Sequence, residues 1–157
     1  LLRFHPFRNR HAVNSDWKNH VLVLGFGSAG DYVIQPFIER GDLVVVVDED
    51  PAVVAKLQAK GKVTAIRGDG ADRALLDQLH ARKSRVILAS MRRTEEAAGV
   101  LKYVDGAAPV FARVFEPEDG ERIESLGGIP ILNSMASSEA FMSWYKTIGQ
   151  DICNSKK

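Results

Sequence analysis

The sequence of 157 residues is poor in several features that would place it in a specialised class of protein. Its single cysteine, Cys153, excludes an internal disulfide and fits a reducing compartment. No apolar run approaches the about 20 residues of a membrane span, and no signal peptide is visible. The charges nearly cancel, with a formal net charge of +1, which argues against general nucleic-acid binding. The length fits one globular domain.

Residues 21–48, VLVLGFGSAGDYVIQPFIERGDLVVVVD, form the most informative stretch of the chain. An apolar run precedes Gly25, Gly27 and Gly30 in G-x-G-x-x-G spacing, and a helical segment and a second apolar run follow. This is the order of a dinucleotide-binding βαβ unit. Gly25 permits a tight turn, Gly27 lets a pyrophosphate approach bare backbone, and Gly30 lets the helix and strand pack closely. Free amides at the start of the helix then meet the phosphates.

Asp48 ends the second apolar run, where a carboxylate can accept hydrogen bonds from both hydroxyls of an adenosine ribose. It would repel a 2′-phosphate, and Glu49 and Asp50 follow it with no Arg or Lys nearby in the sequence. We therefore expect NAD or an adenosine nucleotide rather than NADP. The alternative is a glycine-rich turn followed by an exposed Asp.

Beyond Asp48 the chain alternates helix-like and strand-like segments, which is typical of a parallel sheet covered by helices on both faces. We predict a Rossmann-like α/β fold with six strands in the order 3-2-1-4-5-6. The expected strands are 21–24, 43–47, 63–66, 85–89, 110–114 and 129–132, and the helices after the second strand are 51–60, 71–82, 95–104 and 119–126. Pro36 lies inside the first helix, so we expect a kink near residues 33–36 or a shorter helix.

Ligand contacts in such a sheet come from the carboxyl ends of the strands. Asp69 and Gly70 follow the third strand, Ser90 and Met91 follow the fourth, and Arg113 lies near the end of the fifth. The residues after the third strand could contact the nucleoside end, those after the fourth could face the ribose and phosphates, and Arg113 could pair with the charge of a phosphate. Each has a structural alternative: a turn or helix cap for Asp69-Gly70, a helix cap for Ser90, and a surface or interface ion pair for Arg113.

The chain resembles the KTN family, also called TrkA-N or the RCK amino-terminal subdomain, from residue 19 to about residue 133. Five segments carry the resemblance: LVLGFGSAG, VVVVDEDP, AIRGDGAD, RVILAS and VFARVFEPEDGERIESLGGIPIL. It implies a regulatory domain of a potassium channel, uptake system or potassium/proton antiporter, on the cytoplasmic side of membrane segments. Family members sense NAD(H), AMP, ADP or ATP, and they work as dimers or larger rings.

The resemblance also implies which residues bind the cofactor. Glycine-motif residues would contact the phosphates, Asp48 the ribose, Asp69 the nucleoside end, and Arg113 a phosphate or a subunit. The full predicted set is Gly25, Phe26, Gly27, Ser28, Ala29, Gly30, Asp48, Glu49, Asp69, Gly70, Ser90 and Arg113. After the fourth strand the family usually has Thr, acidic residues and an Asn, whereas this chain has SMRRTEEA. The two arginines either favour a polyphosphate or are simply solvated, and solvation is the preferred interpretation here.

The ends of the chain suggest partners. Within residues 1–18, the first eleven positions contain three arginines and no acid, which is typical of a basic arm or a linker from a membrane region. Residues 19–149 form the expected nucleotide-binding domain, and 150–157 a tail. A helix predicted after Ser137 and Ser138 carries an apolar stripe at i, i+3, i+4 and i+7, which packs either on its own sheet or on a partner subunit. The stripe consists of Phe141, Trp144, Tyr145 and Ile148.

We do not expect an enzyme, because the sequence offers no convincing acid–base group for hydride transfer. The four histidines, His5, His11, His20 and His80, are expected at the surface. No Tyr-x-x-x-Lys pair and no metal-ligand spacing is present. A fragment of an oxidoreductase and a stand-alone redox or nucleotide sensor are the alternatives.

Overall fold

The computed structural model describes residues 16–27, 30–144 and 146. Its centre is a six-stranded sheet in the order β3-β2-β1-β4-β5-β6, and every neighbouring pair is parallel. The predicted fold class and strand order are therefore confirmed. The strands are β1 (Val21–Leu24), β2 (Val44–Asp48), β3 (Thr64–Arg67), β4 (Val86–Ala89), β5 (Val110–Val114) and β6 (Ile129–Leu132). The helices are α1 (Gly30–Glu39), α2 (Pro51–Lys60), α3 (Arg73–Gln78), α4 (Thr94–Val104), α5 (Pro117–Ser125) and α6 (Asn133–Trp144).

The central strands β1 and β2 are buried on both faces, whereas the edge strand β6 is partly exposed. Successive side chains of a strand point to opposite sides, so each central strand contributes to two core clusters. In β1, Val21 and Val23 face a cluster completed by α1 and α2, which contribute Ile34 and Leu57 among others. Leu22 and Leu24 face the second, larger cluster, which includes side chains of α3, α4 and α5. All four residues of β1 are at most 1% exposed. The nearly continuous Val and Leu runs of the sequence thus correspond to the central strands of a doubly wound fold.

Several element boundaries differ from the prediction. The helix expected over 71–82 is α3, which ends at Gln78, because His80 adopts a left-handed conformation with φ 52°. A short 3₁₀ turn over Ala81–Lys83 follows, and this path buries both Leu79 and Ala81 completely. The last helix begins at Asn133, before the serines expected to start it. The helix expected over 119–126 begins at Pro117, since proline suits the first helical turn.

Pro36 does not shorten α1, which continues through it to Glu39. The expectation of a shorter helix is therefore wrong, while the kink stays a prediction. Pro36 lies on the exposed side of α1, where water can hydrogen-bond the carbonyl left without an amide donor.

Trp17 precedes β1 and belongs to the larger core cluster, with 8% of its surface exposed. The sequence had placed it in the basic arm, residues 1–18. The first fifteen residues of that arm and the predicted tail, residues 150–157, lie outside the described residues. The domain boundaries themselves stay predictions.

Candidate nucleotide-binding cleft

The carboxyl ends of β1 to β5 border an open cleft of about 370 Å³. This volume lies within the usual range of about 300–1,000 Å³ for small-molecule sites, and the position is the one where doubly wound sheets bind ligands. The cleft contains all predicted site residues within the described ranges except Gly30. Its lining consists of Gly25, Phe26, Gly27, Val47, Asp48, Glu49, Asp50, Val53, Gly68, Asp69, Gly70, Ser90, Met91, Arg92, Arg93, Glu96 and Arg113.

The glycine turn between β1 and α1 has the conformation that its sequence predicts. Gly25 and Gly27 have φ values of +77° and +58°, which side chains make unfavourable. A Cβ on Gly25 would lie 3.1 Å from the amide nitrogen of Met91, so this glycine allows close approach to the segment after β4. A Cβ on Gly27 would meet nothing within 4 Å. Gly27 therefore leaves bare backbone facing open space, as a phosphate site requires. Ser28 and Ala29 lie outside the described residues.

Gly30 makes room for a side chain that the sequence pattern does not indicate. A Cβ at this position would lie 2.4–2.5 Å from ring atoms of Phe26, whose side chain is only 5% exposed. The glycine thus leaves space for a buried ring at the start of α1. Its expected role in the close approach of helix and strand stays a prediction.

The carboxylate of Asp48 is held by hydrogen bonds from two backbone amides that border the cleft. Its Oδ2 accepts a hydrogen bond of 2.8 Å from the amide of Phe26, and its Oδ1 accepts one of 2.9 Å from the amide of Asp50. The first bond connects the end of β2 to the glycine turn. It also engages the Phe26 amide, which is therefore not free for a phosphate. Each carboxylate oxygen retains a further lone pair. The carboxylate is thus held in place and can still accept the hydroxyls of a ribose.

One basic residue, Arg67, lies near Asp48 in the fold, although none is near it in the sequence. It is paired with Asp48 across the β2–β3 ladder, and its Nε donates to the carbonyl of Glu49 at 3.4 Å. The sequence concealed this neighbour because parallel strands bring distant positions together. The charge argument against NADP is correspondingly weaker.

Asp69 and Gly70 combine the functional and structural interpretations. Both line the cleft, while Oδ1 of Asp69 accepts a 2.8 Å hydrogen bond from the amide of Ala71, which makes the segment a tight turn. A Cβ on Gly70 would lie 3.0 Å from the Cβ of Leu24. This glycine therefore lets the turn after β3 pack against the end of β1.

On the other side of the cleft, Arg113 extends from β5 towards the end of β4. Its Nη2 donates to the carbonyl of Ser90 at 2.9 Å, and its guanidinium lies 5.2 Å from the centre of the Phe115 ring. The Nε is buried and has no hydrogen-bond partner in the described part of the chain. Among the described residues Arg113 forms no ion pair, so the surface alternative is not observed there, while an ion pair at an interface stays a prediction. Ser90 is not a helix cap either, since Arg93 precedes α4 in that position.

The predicted residues did not include seven that line the cleft: Val47, Asp50, Val53, Gly68, Arg92, Arg93 and Glu96. Arg93 and Glu96 are joined by an ion pair of 3.0 Å. The run MRRTEE after β4 was the available signal, because it immediately follows the carboxyl end of a central strand.

Comparison with known sequence families matches residues 21–134 to the TrkA-N domain. The chain belongs to the TrkA-N domain family. The resemblance inferred from the glycine motif, the acid-ended strand and the AIRGDGAD and ARV segments is thereby confirmed.

One curated protein and three solved structures that are similar to this chain follow. The Trk system potassium uptake protein TrkA of Streptomyces coelicolor is 25% identical over 111 residues, which cover 69% of this chain and 50% of that protein. The chain therefore spans about half the length of this relative. The TrkA-N domain of the inner membrane protein ybaL from Escherichia coli has a TM-score of 0.73 and 17% identity, over 82% of this chain and 97% of that one.

The other two structures are described as nucleotide complexes. The GsuK channel bound to NAD has a TM-score of 0.69 and 23% identity, over 82% of this chain and 23% of the channel chain. The Shewanella denitrificans Kef CTD in AMP bound form has a TM-score of 0.66 and 18% identity, over 76% of this chain and 75% of that one. At these identities the likeness establishes the fold.

One described histidine of this TrkA-N domain, His20, does not lie at the surface as expected, whereas His80 is half-buried. His20 is completely buried beside Trp17, with ring centres 6.0 Å apart, and neither ring nitrogen makes a well-formed hydrogen bond within the described residues. Burial lowers the pKa of His20. The surface prediction for His20 is wrong, because the residue directly precedes a central strand. His5 and His11 lie outside the described residues.

The C-terminal helix carries exposed apolar side chains. Phe141 is 59% exposed, so most of its surface is not buried against its own sheet, and the choice between its own sheet and a partner subunit stays a prediction. Tyr145 and Ile148 lie outside the described residues. The C-terminal part of the chain contains five other exposed apolar residues: Phe115, Ile129, Ile131, Met135 and Met142. No helix within the described residues has the length and apolar character needed to cross a bilayer. The same residues contain no cluster of three or more His, Cys, Asp or Glu side chains placed to hold a metal ion.

Proposed function

We propose that this TrkA-N domain binds NAD(H) or an adenine nucleotide in the cleft and regulates a potassium transport protein. The observation that carries the proposal is the position of Asp48. Its carboxylate lies at the end of β2, fixed by two backbone amides, beside a glycine turn whose Gly27 faces open space. A ribose on Asp48 and phosphates on the turn would reproduce the usual arrangement of a nucleotide on a doubly wound sheet.

The transport assignment rests on the relatives. The similar proteins include a potassium uptake protein, a channel bound to NAD and a Kef domain in AMP-bound form. We infer that the full protein is an antiporter, channel or uptake system whose regulatory part lies at the cytoplasmic face of a membrane. The role of this domain would then be to convert nucleotide occupancy into a change of the transport segments.

We further propose that the domain forms a homodimer or higher oligomer through its C-terminal helix. The exposure of Phe141 and Met142 on α6, together with that of Ile129 and Ile131 on the edge strand β6, supports this proposal. A Phe141→Asp variant should shift sedimentation towards the monomer, while Tyr32→Asp, at an exposed site on α1, should not. Sedimentation as a monomer by the unmodified chain at high concentration would contradict the proposal.

A regulatory rather than catalytic role is part of the same proposal. Catalysis of hydride transfer needs a proton donor beside the nicotinamide. Among the described histidines, His20 precedes β1 and His80 follows α3, both at the edge opposite the cleft. Steady oxidation or reduction of NAD(H) with a small carbonyl or alcohol substrate would contradict this part of the proposal.

The experiment that tests nucleotide binding compares AMP with 2′-deoxy-AMP by titration calorimetry. If Asp48 accepts the ribose hydroxyls, the unmodified domain should bind AMP about tenfold more tightly than the deoxy nucleotide, because a charge-assisted hydrogen bond is lost. In Asp48→Asn this preference should largely disappear. Because the two nucleotides are compared within each protein, the difference between the two proteins reports the contact between Asp48 and the ribose 2′-hydroxyl.

Asp105→Asn is the matched control, because it removes the same charge at the C-terminal end of α4, on the opposite edge of the sheet. Asn also tolerates the left-handed conformation of Asp105, with φ 49°. The control should retain the preference for AMP. Equal binding of the two nucleotides by the unmodified domain would refute the ribose role of Asp48, and failure to bind AMP, NAD or NADH would refute the proposed function.

A further inference from the structure

The segments that enter the strands and those that leave them carry opposite charge. The entering segments form the side of the sheet opposite the cleft, called here the amino edge. Within the described residues they hold six bases and three acids: Lys18, Arg40, Lys62, Arg82, Lys83 and Arg85, and Asp16, Asp42 and Asp105. The leaving segments, at the carboxyl edge, hold five acids and two bases: Glu49, Asp50, Asp69, Asp72 and Glu116, and Arg92 and Arg93. The domain is therefore electrically polar along its strands.

The bases of the amino edge belong to segments that lie side by side. The amide of Asn19 donates to the carbonyl of Lys83 at 2.8 Å, and the amide of Val21 donates to the carbonyl of Leu43 at 2.9 Å. These bonds join the segment before β1 to those before β4 and β2. Since neighbouring strands lie about 4.8 Å apart, the starts of β3, β2, β1 and β4 span only about 14 Å. Their bases therefore form one patch.

Acids neutralise this patch only in part. Asp42 forms ion pairs with both Arg40, at 3.1 Å, and Arg85, at 2.6 Å, so that two bases share one acid. Three lysines of the patch are exposed and form no ion pair with any described residue: Lys18, Lys62 and Lys83. Like charges held this close repel one another, so an anionic partner is favoured here.

An apolar side chain and a basic stretch of sequence adjoin the patch. Leu43 directly precedes β2 and is 40% exposed. The described chain begins at Asp16, on the amino edge, and the fifteen residues before it contain three arginines, two leucines and two phenylalanines but no acid. Bases mixed with Leu and Phe are typical of segments at a membrane surface, where the bases attract anionic lipids and the apolar side chains enter the headgroup region.

We infer that the amino edge binds the anionic headgroups of a lipid bilayer. This contact goes beyond the proposed function, because it assigns a partner to the side of the domain that faces away from the nucleotide cleft. Attraction of the basic edge and repulsion of the acidic edge would orient the domain with its cleft towards the solvent.

Lipid and nucleotide should bind independently. The strands have four or five residues, so the two edges are at least about 13 Å apart. This separation exceeds the Debye length of about 8 Å at physiological ionic strength. Removal of bases from the amino edge should therefore leave nucleotide binding unchanged.

The test is flotation of the chain with vesicles of phosphatidylcholine alone, or of equal parts of phosphatidylcholine and phosphatidylglycerol. The unmodified chain should float only with the anionic vesicles, and about 1 M salt, which shortens the Debye length to about 3 Å, should release it. Lys18→Gln, Lys62→Gln and Lys83→Gln should each weaken partitioning about fivefold, as expected for one base near an anionic surface. The triple variant should no longer float.

Arg73→Gln is the charge-matched control, because it removes one exposed positive charge at the start of α3, beside the carboxyl edge. It should change partitioning by less than about twofold. Urea unfolding midpoints close to that of the unmodified chain verify that the variants are folded. AMP titration of the triple variant verifies that the cleft is unaffected.

Three outcomes would overturn the inference. Equal binding to neutral and anionic vesicles would remove its electrostatic basis. Full flotation of the triple variant would assign membrane binding to residues 1–15 instead of the amino edge. Binding to duplex DNA without binding to vesicles would identify a nucleic acid as the anionic partner. Failure to bind any nucleotide, with flotation intact, would refute the proposed function and leave this inference standing.

Discussion

Replacing Gly30 by Ala should destabilise the domain, against the usual effect of this change in a helix. Gly30 is the first residue of α1, and its added Cβ would lie 2.4–2.5 Å from the Phe26 ring. Because Phe26 is 5% exposed, the ring has little room to move away. Overpacking of this kind costs about 1–3 kcal/mol, whereas replacing Gly by Ala in a helix gains at most about 1 kcal/mol. The net loss should be about 1–2 kcal/mol.

Gly99→Ala is the matched control within the same fold. Gly99 lies inside α4, and a Cβ there would meet nothing within 4 Å. With no clash, only the backbone effect remains, so this variant should be more stable by about 0.5–1 kcal/mol. The two changes are chemically identical and should have opposite signs.

Urea unfolding, followed by circular dichroism, measures both effects through the midpoint at constant m value. Phe26→Leu in the Gly30→Ala background should recover part of the loss, since the smaller side chain relieves the contact, and the coupling should exceed about 0.5 kcal/mol. A Gly30→Ala variant that unfolds at or above the wild-type midpoint would refute the assigned contact. So would strict additivity with Phe26→Leu.

Two further predictions concern buried polar groups. His20→Leu should be at least as stable as wild type at pH 7, because it removes ring nitrogens that lack good partners. Because burial lowers the pKa of His20, the unfolded chain takes up the proton first as the pH falls below about 6.5, and the wild-type protein should lose stability there. The variant should not show this loss when urea unfolding is compared at pH 7 and pH 5. Tyr103→Phe should cost about 1–2 kcal/mol, because the hydroxyl donates a 2.5 Å hydrogen bond to Asp77. Burial and, second, the hydrogen bond to Asp77 raise the pKa of Tyr103, so the wild-type protein should lose stability above about pH 10. The same loss in urea unfolding of Tyr103→Phe would contradict the assignment of this loss to Tyr103.

The fold could be predicted from the sequence because its information is local and repetitive. The apolar runs ending at Leu24 and Asp48, the glycine turn between them and the alternating helices specify parallel strands. Right-handed crossovers then leave few possible strand orders. The helix ends were less predictable, since they depend on tertiary packing: α3 ends early because the chain turns at His80 to bury Leu79 and Ala81.

The acidic end of the cleft was also predictable, because Asp48 and Asp69 directly follow strands. What the sequence could not show is which charges become neighbours across the sheet. Arg67 reaches the Glu49 carbonyl, and Arg113 reaches the carbonyl of Ser90, only because parallel pairing brings these distant segments together. The orientation of the Phe26 ring under Gly30 is likewise a property of packing rather than of the motif.

The most direct test of the proposed nucleotide site is amide chemical-shift mapping of the labelled domain during titration with ATP, and with NAD in parallel. The account predicts that shifts concentrate at the carboxyl edge of the sheet, at Gly25, Gly27, Asp48 and Ser90. Amides at the opposite edge, such as that of Asp105, should remain in place. Shifts confined to that opposite edge, or none at millimolar nucleotide, would contradict the assignment of the cleft as a nucleotide site.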